Sequence, residues 1–153
     1  MNTKVAKDIM TTDVIVAKKD DSIASVANLL IQEKIGGLPV VDSENRVVGI
    51  ISETDILKKE KYIEPPQFIN ILQGIIFLDD HKQIEQDIKR VAAYKVEDLM
   101  STNIVKVNED DSFDDIANIM IRKSINRVPV VDKENTLKGI ICRYDIIRAM
   151  YNE

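Results

Sequence analysis

The segment IGGLPVVDSENRVVGIISETD, residues 35–55, decides the fold because it recurs as INRVPVVDKENTLKGIICRYD at residues 125–145, ninety positions later and without insertion or deletion. The same offset relates more distant positions, such as Asp8 to Asp98 and Ser22 to Ser112. A chain that repeats itself in this way contains two copies of one supersecondary unit. We therefore expect a first repeat at residues 4–58, an insert at residues 59–93 and a second repeat at residues 94–148.

Each repeat has only about 55 residues, which is too few to bury a large core alone. The two repeats are therefore expected to pack on each other about an approximate two-fold axis. A functional surface is then expected where they meet.

Hydrophobic patterning predicts the element order β-α-β-β-α within each repeat, which gives an α+β fold. The first copy is predicted to contain a helical lead-in at residues 5–10, strands at 14–16, 38–41 and 47–51, a helix capped by Ser22, and a helix at 54–59. Residues 42–45 form a polar turn between two strands. In the second copy, Ser112 and Asp115 have the spacing of a capping box.

Composition limits the functional class. The chain has 153 residues, of which 44% are hydrophobic and 31% charged, as in an ordinary globular protein. It shows no signal peptide and no apolar run long enough to cross a bilayer, so we expect a cytoplasmic protein without a membrane partner. The net charge of −5 and the dispersed basic residues argue against nucleic acid. The single cysteine, Cys142, excludes an intrachain disulfide.

The insert at residues 59–93 has no counterpart elsewhere in the chain. Pro65 and Pro66 prevent the preceding helix from continuing, residues 68–78 are mostly apolar, and residues 82–94 have the pattern of an amphipathic helix. Two interpretations remain open for this partly helical insert. It either covers the core, or it forms a dimer contact or a mobile lid.

Catalytic machinery is not recognisable in the sequence. The single histidine, His81, has no second ligand at metal-binding spacing and is best read as a residue of a solvated turn. Cys142 ends an apolar strand, and no histidine lies near it in sequence to activate it. Phosphate loops of the dinucleotide and Walker types are missing. We expect a protein that is not an enzyme and has neither a metal nor a permanent cofactor.

The sequence GIISETD, residues 49–55, carries the remaining chemical signal. A strand ends there, and Ser52, Thr54 and Asp55 crowd the first turn of the next helix. A carboxylate can accept hydrogen bonds from vicinal hydroxyl groups while helix-start amides donate to an anion, so this turn suits a sugar phosphate. Alternatively, the hydroxyl groups only cap the helix and Asp55 interacts with its dipole.

The motifs DIMTTDVIVAKKDDSIASVANLL, GGLPVVD and GIISETDIL occur in order, and their counterparts follow in the second copy. Together they resemble a tandem pair of cystathionine-β-synthase (CBS) domains over about 110 residues. The resemblance implies a stand-alone regulatory module that binds adenosine nucleotides such as AMP, ADP or ATP in clefts between the repeats. Such modules commonly pair into homodimers, so we also expect a homodimer.

The two copies match the family motif unequally. Gly49, Ser52, Thr54 and Asp55 match it fully, and the resemblance implies that the aspartate binds the ribose hydroxyls. The second copy keeps Asp145 but has Cys142 and Tyr144 at both hydroxyl positions.

The resemblance also implies a basic residue from the opposite repeat at the phosphate. Arg127 occupies that position in the second copy, whereas the first offers only Gly37. We therefore expect one complete site with Asp55 and Arg127, and a weaker one with Asp145, Tyr144 and Gly37. The adenine is expected near Thr12, Asp13, Val14, Ile35 and Val128.

Two rival functions stay open. The first is a dimerisation or interaction scaffold with vestigial clefts, and the second is an unrecognised enzyme. The sequence does not identify the regulated partner protein or choose among adenosine-containing ligands.

Overall fold

The structure, a computed structural model, describes residues 4–58 and 94–151. These residues form two compact units. The first unit contains residues 17–40, 49–58 and 94–102, and the second contains residues 4–16, 41–48 and 103–151. Each unit therefore combines segments from both sequence repeats. The predictions for the insert, including residues 68–78 and His81, lie outside the described residues.

The fold is α+β, as predicted. The first repeat contains α1 (Ala6–Ile9), α2 (Ile23–Glu33), β1 (Gly37–Val41), β2 (Val47–Ser52) and α3 (Glu53–Lys58). The second repeat contains α4 (Val96–Leu99), β3 (Val107–Asn108), α5 (Phe113–Arg122), β4 (Arg127–Val131), β5 (Leu137–Cys142) and α6 (Arg143–Tyr151). No helix in residues 4–58 and 94–151 has the length and apolarity needed to span a bilayer. The cytoplasmic location stays a prediction from the sequence.

Both predicted serine caps are confirmed. The backbone N–H of Ser25 donates to Ser22 Oγ at 3.1 Å, at the start of α2. At the start of α5, the backbone N–H of Asp115 donates to Ser112 Oγ at 3.2 Å, and that hydroxyl donates to Asp115 Oδ2 at 2.7 Å. These side chains satisfy helix-start groups that have no partner within the helix.

The strand predicted at residues 14–16 is wrong in its position. The first repeat instead has a single parallel bridge at Ala17, whose N–H donates to Pro39 O at 3.0 Å. Val14 and Val16 pack against a buried apolar cluster that includes Val41 and Val131. Their β-branched side chains therefore reflect packing on a core rather than pairing in a ladder.

A three-stranded sheet with the order β3-β4-β5 organises the second unit. Strand β4 is central, parallel to β3 and antiparallel to β5. One apolar cluster of this unit includes a residue from the N-terminal segment: Ala6, Val107, Ile116, Met120, Val128, Val130 and Ile141. The N-terminal segment is thus an integral part of the second repeat's core.

Two lead-in segments, residues 5–11 and 95–101, pair with motif strands of the opposite repeat. Thr11 exchanges two backbone hydrogen bonds of 2.9 Å with Ile140, next to Gly139. Ser101 makes the equivalent pair with Ile50, next to Gly49, at 2.9 and 3.0 Å. A Cβ atom at Gly139 would lie 2.5 Å from Met10 Sδ and 2.9 Å from Thr11 O. The motif therefore begins with glycine because the lead-in backbone passes too close for a side chain.

We expect Gly139→Ala to lower the free energy of unfolding by about 1 to 3 kcal/mol, the usual cost of overpacking. Urea denaturation of the parent, Gly139→Ala, Met10→Ala and the double variant forms a mutant cycle. Part of the loss should be recovered in the double variant because the clash with the thioether disappears, whereas the clash with Thr11 O stays. Parent-like stability of Gly139→Ala would contradict this account of the glycine.

Candidate functional site

Asp55 lies in the first turn of α3, partly buried in the first unit. Its Oδ2 accepts hydrogen bonds from the backbone N–H and from the hydroxyl of Ser52, both at 3.0 Å. Its Oδ1 accepts a hydrogen bond from Ser101 Oγ at 3.0 Å. A carboxylate oxygen has two lone pairs, so Oδ1 has capacity for a further donor such as a sugar hydroxyl. The surrounding groups thus fix the orientation of this carboxylate and leave it able to accept.

The first unit also contains three of the other predicted site residues. Thr54 is exposed, Ile35 is partly buried, and Gly37 is buried at the start of β1. The N–H of Glu53 donates to Gly36 O at 2.9 Å. This bond joins the start of α3 to the backbone beside Gly37.

Ser101, which donates to Asp55, is not among the site residues predicted from the sequence. It lies ninety positions after Thr11, immediately before the position that corresponds to Thr12. The lead-in hydroxyl beside Asp55 therefore comes from the second repeat's lead-in. The offset of ninety residues already makes Ser101 the counterpart of Thr11. Only the pairing of Ser101 with Ile50 of the first repeat shows that its hydroxyl group lies beside Asp55.

Asp145, the counterpart of Asp55, lies in the first turn of α6 and is only 8% exposed. Its Oδ2 accepts a hydrogen bond from the backbone N–H of Cys142 at 2.8 Å. Its Oδ1 lies 3.8 Å from Nη2 of Arg148. In both copies, a backbone N–H three residues earlier donates to one oxygen of the aspartate. The second oxygen of Asp145 lies near a guanidinium group, whereas that of Asp55 accepts from a hydroxyl group.

A cleft of about 310 Å³ opens beside Asp145. Its lining comes from Lys4, from the first lead-in and from α6, and the residues are Lys4, Asp8, Ile9, Met10, Asp145, Arg148 and Ala149. The Lys4 ammonium group donates a hydrogen bond to Ala149 O at 2.9 Å. The sequence predicts no basic residue in this second cleft, whereas the structure places Lys4 and Arg148 there. They were missed because neither lies in the repeated motif itself.

The remaining predicted residues, Thr12, Asp13, Val14, Arg127 and Val128, belong to the second unit. The predicted contact of Val128 with an adenine stays a prediction. Val128 is 0% exposed and lies within the apolar core, where it supports β4. The segment with Thr12 and Asp13 is exposed and follows Thr11, which pairs with Ile140 of the Asp145 motif.

Arg127 is paired with Cys142 across β4 and β5. It therefore lies in the unit of Asp145, and Asp55 lies in the other unit. The assignment of Asp55 and Arg127 to one ligand stays a prediction. Among residues 4–58 and 94–151, no cluster of His, Cys, Asp or Glu is arranged to hold a metal ion.

The environment of Cys142 raises the pKa of its thiol above the ordinary value. Burial is the main cause, and the negative charge of Asp145 adds to it, whereas the positive charge of Arg127 opposes it. A raised pKa leaves little thiolate at neutral pH, and the thiolate is the nucleophilic form. Cys142 is thus suited to packing rather than to nucleophilic attack.

We expect the pH profile of Cys142 alkylation by iodoacetamide to have its midpoint above about 8.5, the ordinary thiol value. Removing a nearby negative charge should lower the midpoint, and removing a nearby positive charge should raise it. Asp145→Asn should lower it and Arg127→Ala should raise it. A midpoint at or below the value measured for the urea-unfolded chain would contradict this placement of the charges.

Comparisons with known proteins agree with this architecture. The CBS domain profile matches residues 6–62 and 96–152. The protein MJ1426 of Methanocaldococcus jannaschii is 33% identical over 153 residues, covering 94% of this chain and 89% of its own length. Other relatives from the same organism are longer, and the chain spans 46%, 23% and 32% of their lengths.

Two solved structures of CBS-pair proteins are similar to this chain. CBSX2 of Arabidopsis thaliana, solved in complex with AMP, has a TM-score of 0.73 and 26% identity, covering 95% of each chain. The CBS domain pair of MJ0100, solved with 5-methylthioadenosine and S-adenosyl-L-methionine, has a TM-score of 0.70 and 28% identity, covering 97% of this chain and 96% of that one. With two matched repeats and this fold, the chain belongs to the CBS domain family.

Proposed function

We propose that this protein is a non-catalytic regulatory module that binds adenosine nucleotides such as AMP, ADP or ATP. The observation that carries the proposal is the Asp55 carboxylate, which is fixed by Ser52 and Ser101 and keeps the capacity to accept from a ribose hydroxyl. The complexes of CBSX2 with AMP and of the MJ0100 domain pair with 5-methylthioadenosine and S-adenosyl-L-methionine support an adenosine-containing ligand.

The chemistry of the ligand follows from the groups that would meet it. Hydroxyl groups of a ribose would donate to Asp55, whose Oδ1 has capacity for a donor besides Ser101 Oγ. The phosphate requires a cation, and the resemblance to CBS domains implies Arg127 for that role. Ligand binding would then regulate a partner protein, as in other CBS modules.

We expect Asp55→Ala to weaken AMP binding by about 1.5 to 3 kcal/mol, the range for hydrogen bonds to a charged group. Discrimination between ribo and 2′-deoxy ligands should fall with it. Because Asp55 also accepts from Ser52, Asp55→Asn serves as a control that keeps an acceptor oxygen for the turn. Ser101→Ala should have a smaller effect, since it removes one donor but leaves the carboxylate.

Titration calorimetry measures these affinities, and Arg127→Ala completes the set of variants. This substitution should weaken AMP far more than adenosine, because the lost contact is to phosphate alone. The charge-matched control is Arg122→Ala, at an exposed position on α5. Equal AMP affinity for Asp55→Ala and the parent would refute the assignment of Asp55. Equal effects of Arg127→Ala and Arg122→Ala would remove Arg127 from the site.

We also propose that the protein is a homodimer. Helices α5 and α6 leave large apolar side chains exposed: Ile121 by 74%, Ile147 by 53%, Met150 by 59% and Tyr151 by 79%. Apolar side chains exposed on neighbouring helices are typical of surfaces that bury against another chain.

Light scattering at micromolar concentration tests this assembly. We expect the parent to have twice the chain mass of 17.3 kDa, and Ile147→Lys to shift toward the single-chain value because it buries a charge in the contact. Ser43→Lys, in an exposed hairpin turn, adds the same charge as a control. A parent mass near 17.3 kDa would exclude the dimer.

The rival function is an interaction scaffold with vestigial clefts. Melting temperature separates the two, because a ligand that binds the folded state raises it by mass action. A dimer whose melting temperature is unchanged by millimolar AMP, ADP and ATP would favour the scaffold.

A further inference from the structure

Arg148 occupies a distinctive place within the second unit. It lies one turn after Asp145 on α6, with Nη2 at 3.8 Å from Asp145 Oδ1. Its guanidinium carbon lies 5.1 Å from the centroid of the Tyr144 ring, within the range of a cation–π interaction. Two weak interactions thus hold one cation beside the carboxylate that replaces Asp55 in this copy.

Arg148 is also one of the residues that line the cleft of about 310 Å³ beside Asp145. That volume is at the lower end of those observed for small-molecule sites. The cleft combines two basic residues, Lys4 and Arg148, with two acidic ones, Asp8 and Asp145. A ligand that carries both hydroxyl groups and an anionic group would complement this lining, because carboxylates accept hydrogen bonds and cations attract anions.

We propose that Arg148 is the specificity-determining residue of this cleft and selects a phosphorylated adenosine ligand over the neutral nucleoside. The inference rests on the proposed function and extends it to the second copy. A ribose hydroxyl that donates to Asp145 competes with Arg148 for Oδ1. A nucleoside has no anionic group that could bind the displaced guanidinium group. The phosphate of a nucleotide can bind it through charge-assisted hydrogen bonds.

Magnitudes favour this asymmetry. The existing pair is long, and the Arg148 side chain is 57% exposed, so displacing it from Asp145 costs little. A guanidinium contact to phosphate within a cleft is stronger, because both groups carry a full charge and the geometry permits two parallel hydrogen bonds. Losing Arg148 should therefore remove most of the affinity for phosphate and almost none of that for the nucleoside.

The substitution of Tyr144 for the first copy's Thr54 supports a specific role in the second copy. The guanidinium group lies over this ring, with its carbon 5.1 Å from the ring centroid. The second copy thus has an aromatic ring that contacts a cation, where the first copy has the hydroxyl group of Thr54.

The test uses the full chain with Asp55→Ala, so that binding reports on the Asp145 cleft. Calorimetry with AMP and with adenosine should show that Arg148→Ala weakens AMP by about 10- to 100-fold, the range of a charge-assisted contact, and changes adenosine by less than about threefold. Arg148→Lys should fall between, because it keeps the charge and loses the planar fork. Arg122→Ala is the charge-matched control. In the Asp55→Ala chain it should leave the affinities for AMP and for adenosine unchanged.

Each other outcome is decisive. Equal losses of AMP and adenosine in Arg148→Ala would mean a structural role and overturn the inference, as would an unchanged AMP affinity. If the parent binds AMP but the Asp55→Ala background binds neither ligand, the Asp145 cleft is not a site and only this inference fails. If the parent itself binds neither AMP nor adenosine, the proposed function fails as well. Thermal unfolding of Arg148→Ala verifies that the exposed substitution leaves the fold intact.

Discussion

Close approach of two backbones at a glycine is the constraint on which the rest of the structure depends. At Gly139 and again at Gly49, a lead-in segment pairs with a motif strand so tightly that a Cβ atom would fall within 3 Å of its atoms. Two backbone hydrogen bonds per contact fix the register, and Met10 or Met100 fills the space above the glycine. Because each lead-in comes from the opposite repeat, both units are complete only when the chain has exchanged these segments.

This exchange also builds the candidate sites. The aspartate of each motif lies in the first helical turn after the strand that the lead-in pairs with, so the lead-in backbone and the carboxylate come together in the same unit. In the first unit, Ser101 thereby reaches Asp55. In the second unit, the lead-in contributes Lys4 and Met10 to the cleft beside Asp145. The same exchange of lead-ins thus yields two candidate sites, each with an aspartate, whose other residues differ.

That difference explains which contacts around the two aspartates could be predicted from the sequence and which could not. Ser52 and Asp55 could be identified because motif spacing alone places them in one turn, and their hydrogen bonds bear this out. Ser101, Lys4 and Arg148 could not, because contacts between segments distant in sequence bring them to the carboxylates. The burial of Val128 in the core likewise depends on packing of β4 against other segments, which its local sequence does not specify.

The sequence by itself determined the two repeats, the α+β class, the serine caps of α2 and α5 and the hairpin turn, because all of these follow from local spacing and side-chain chemistry. It also marked the aspartates on which ligand recognition is proposed to depend. Only the tertiary structure decided which lead-in completes which repeat, that Val14 and Val16 pack without forming a strand, and that basic residues line the Asp145 cleft. The physical reason is that periodicity describes one segment at a time, whereas pairing, burial and charge proximity depend on the segments that packing brings beside it.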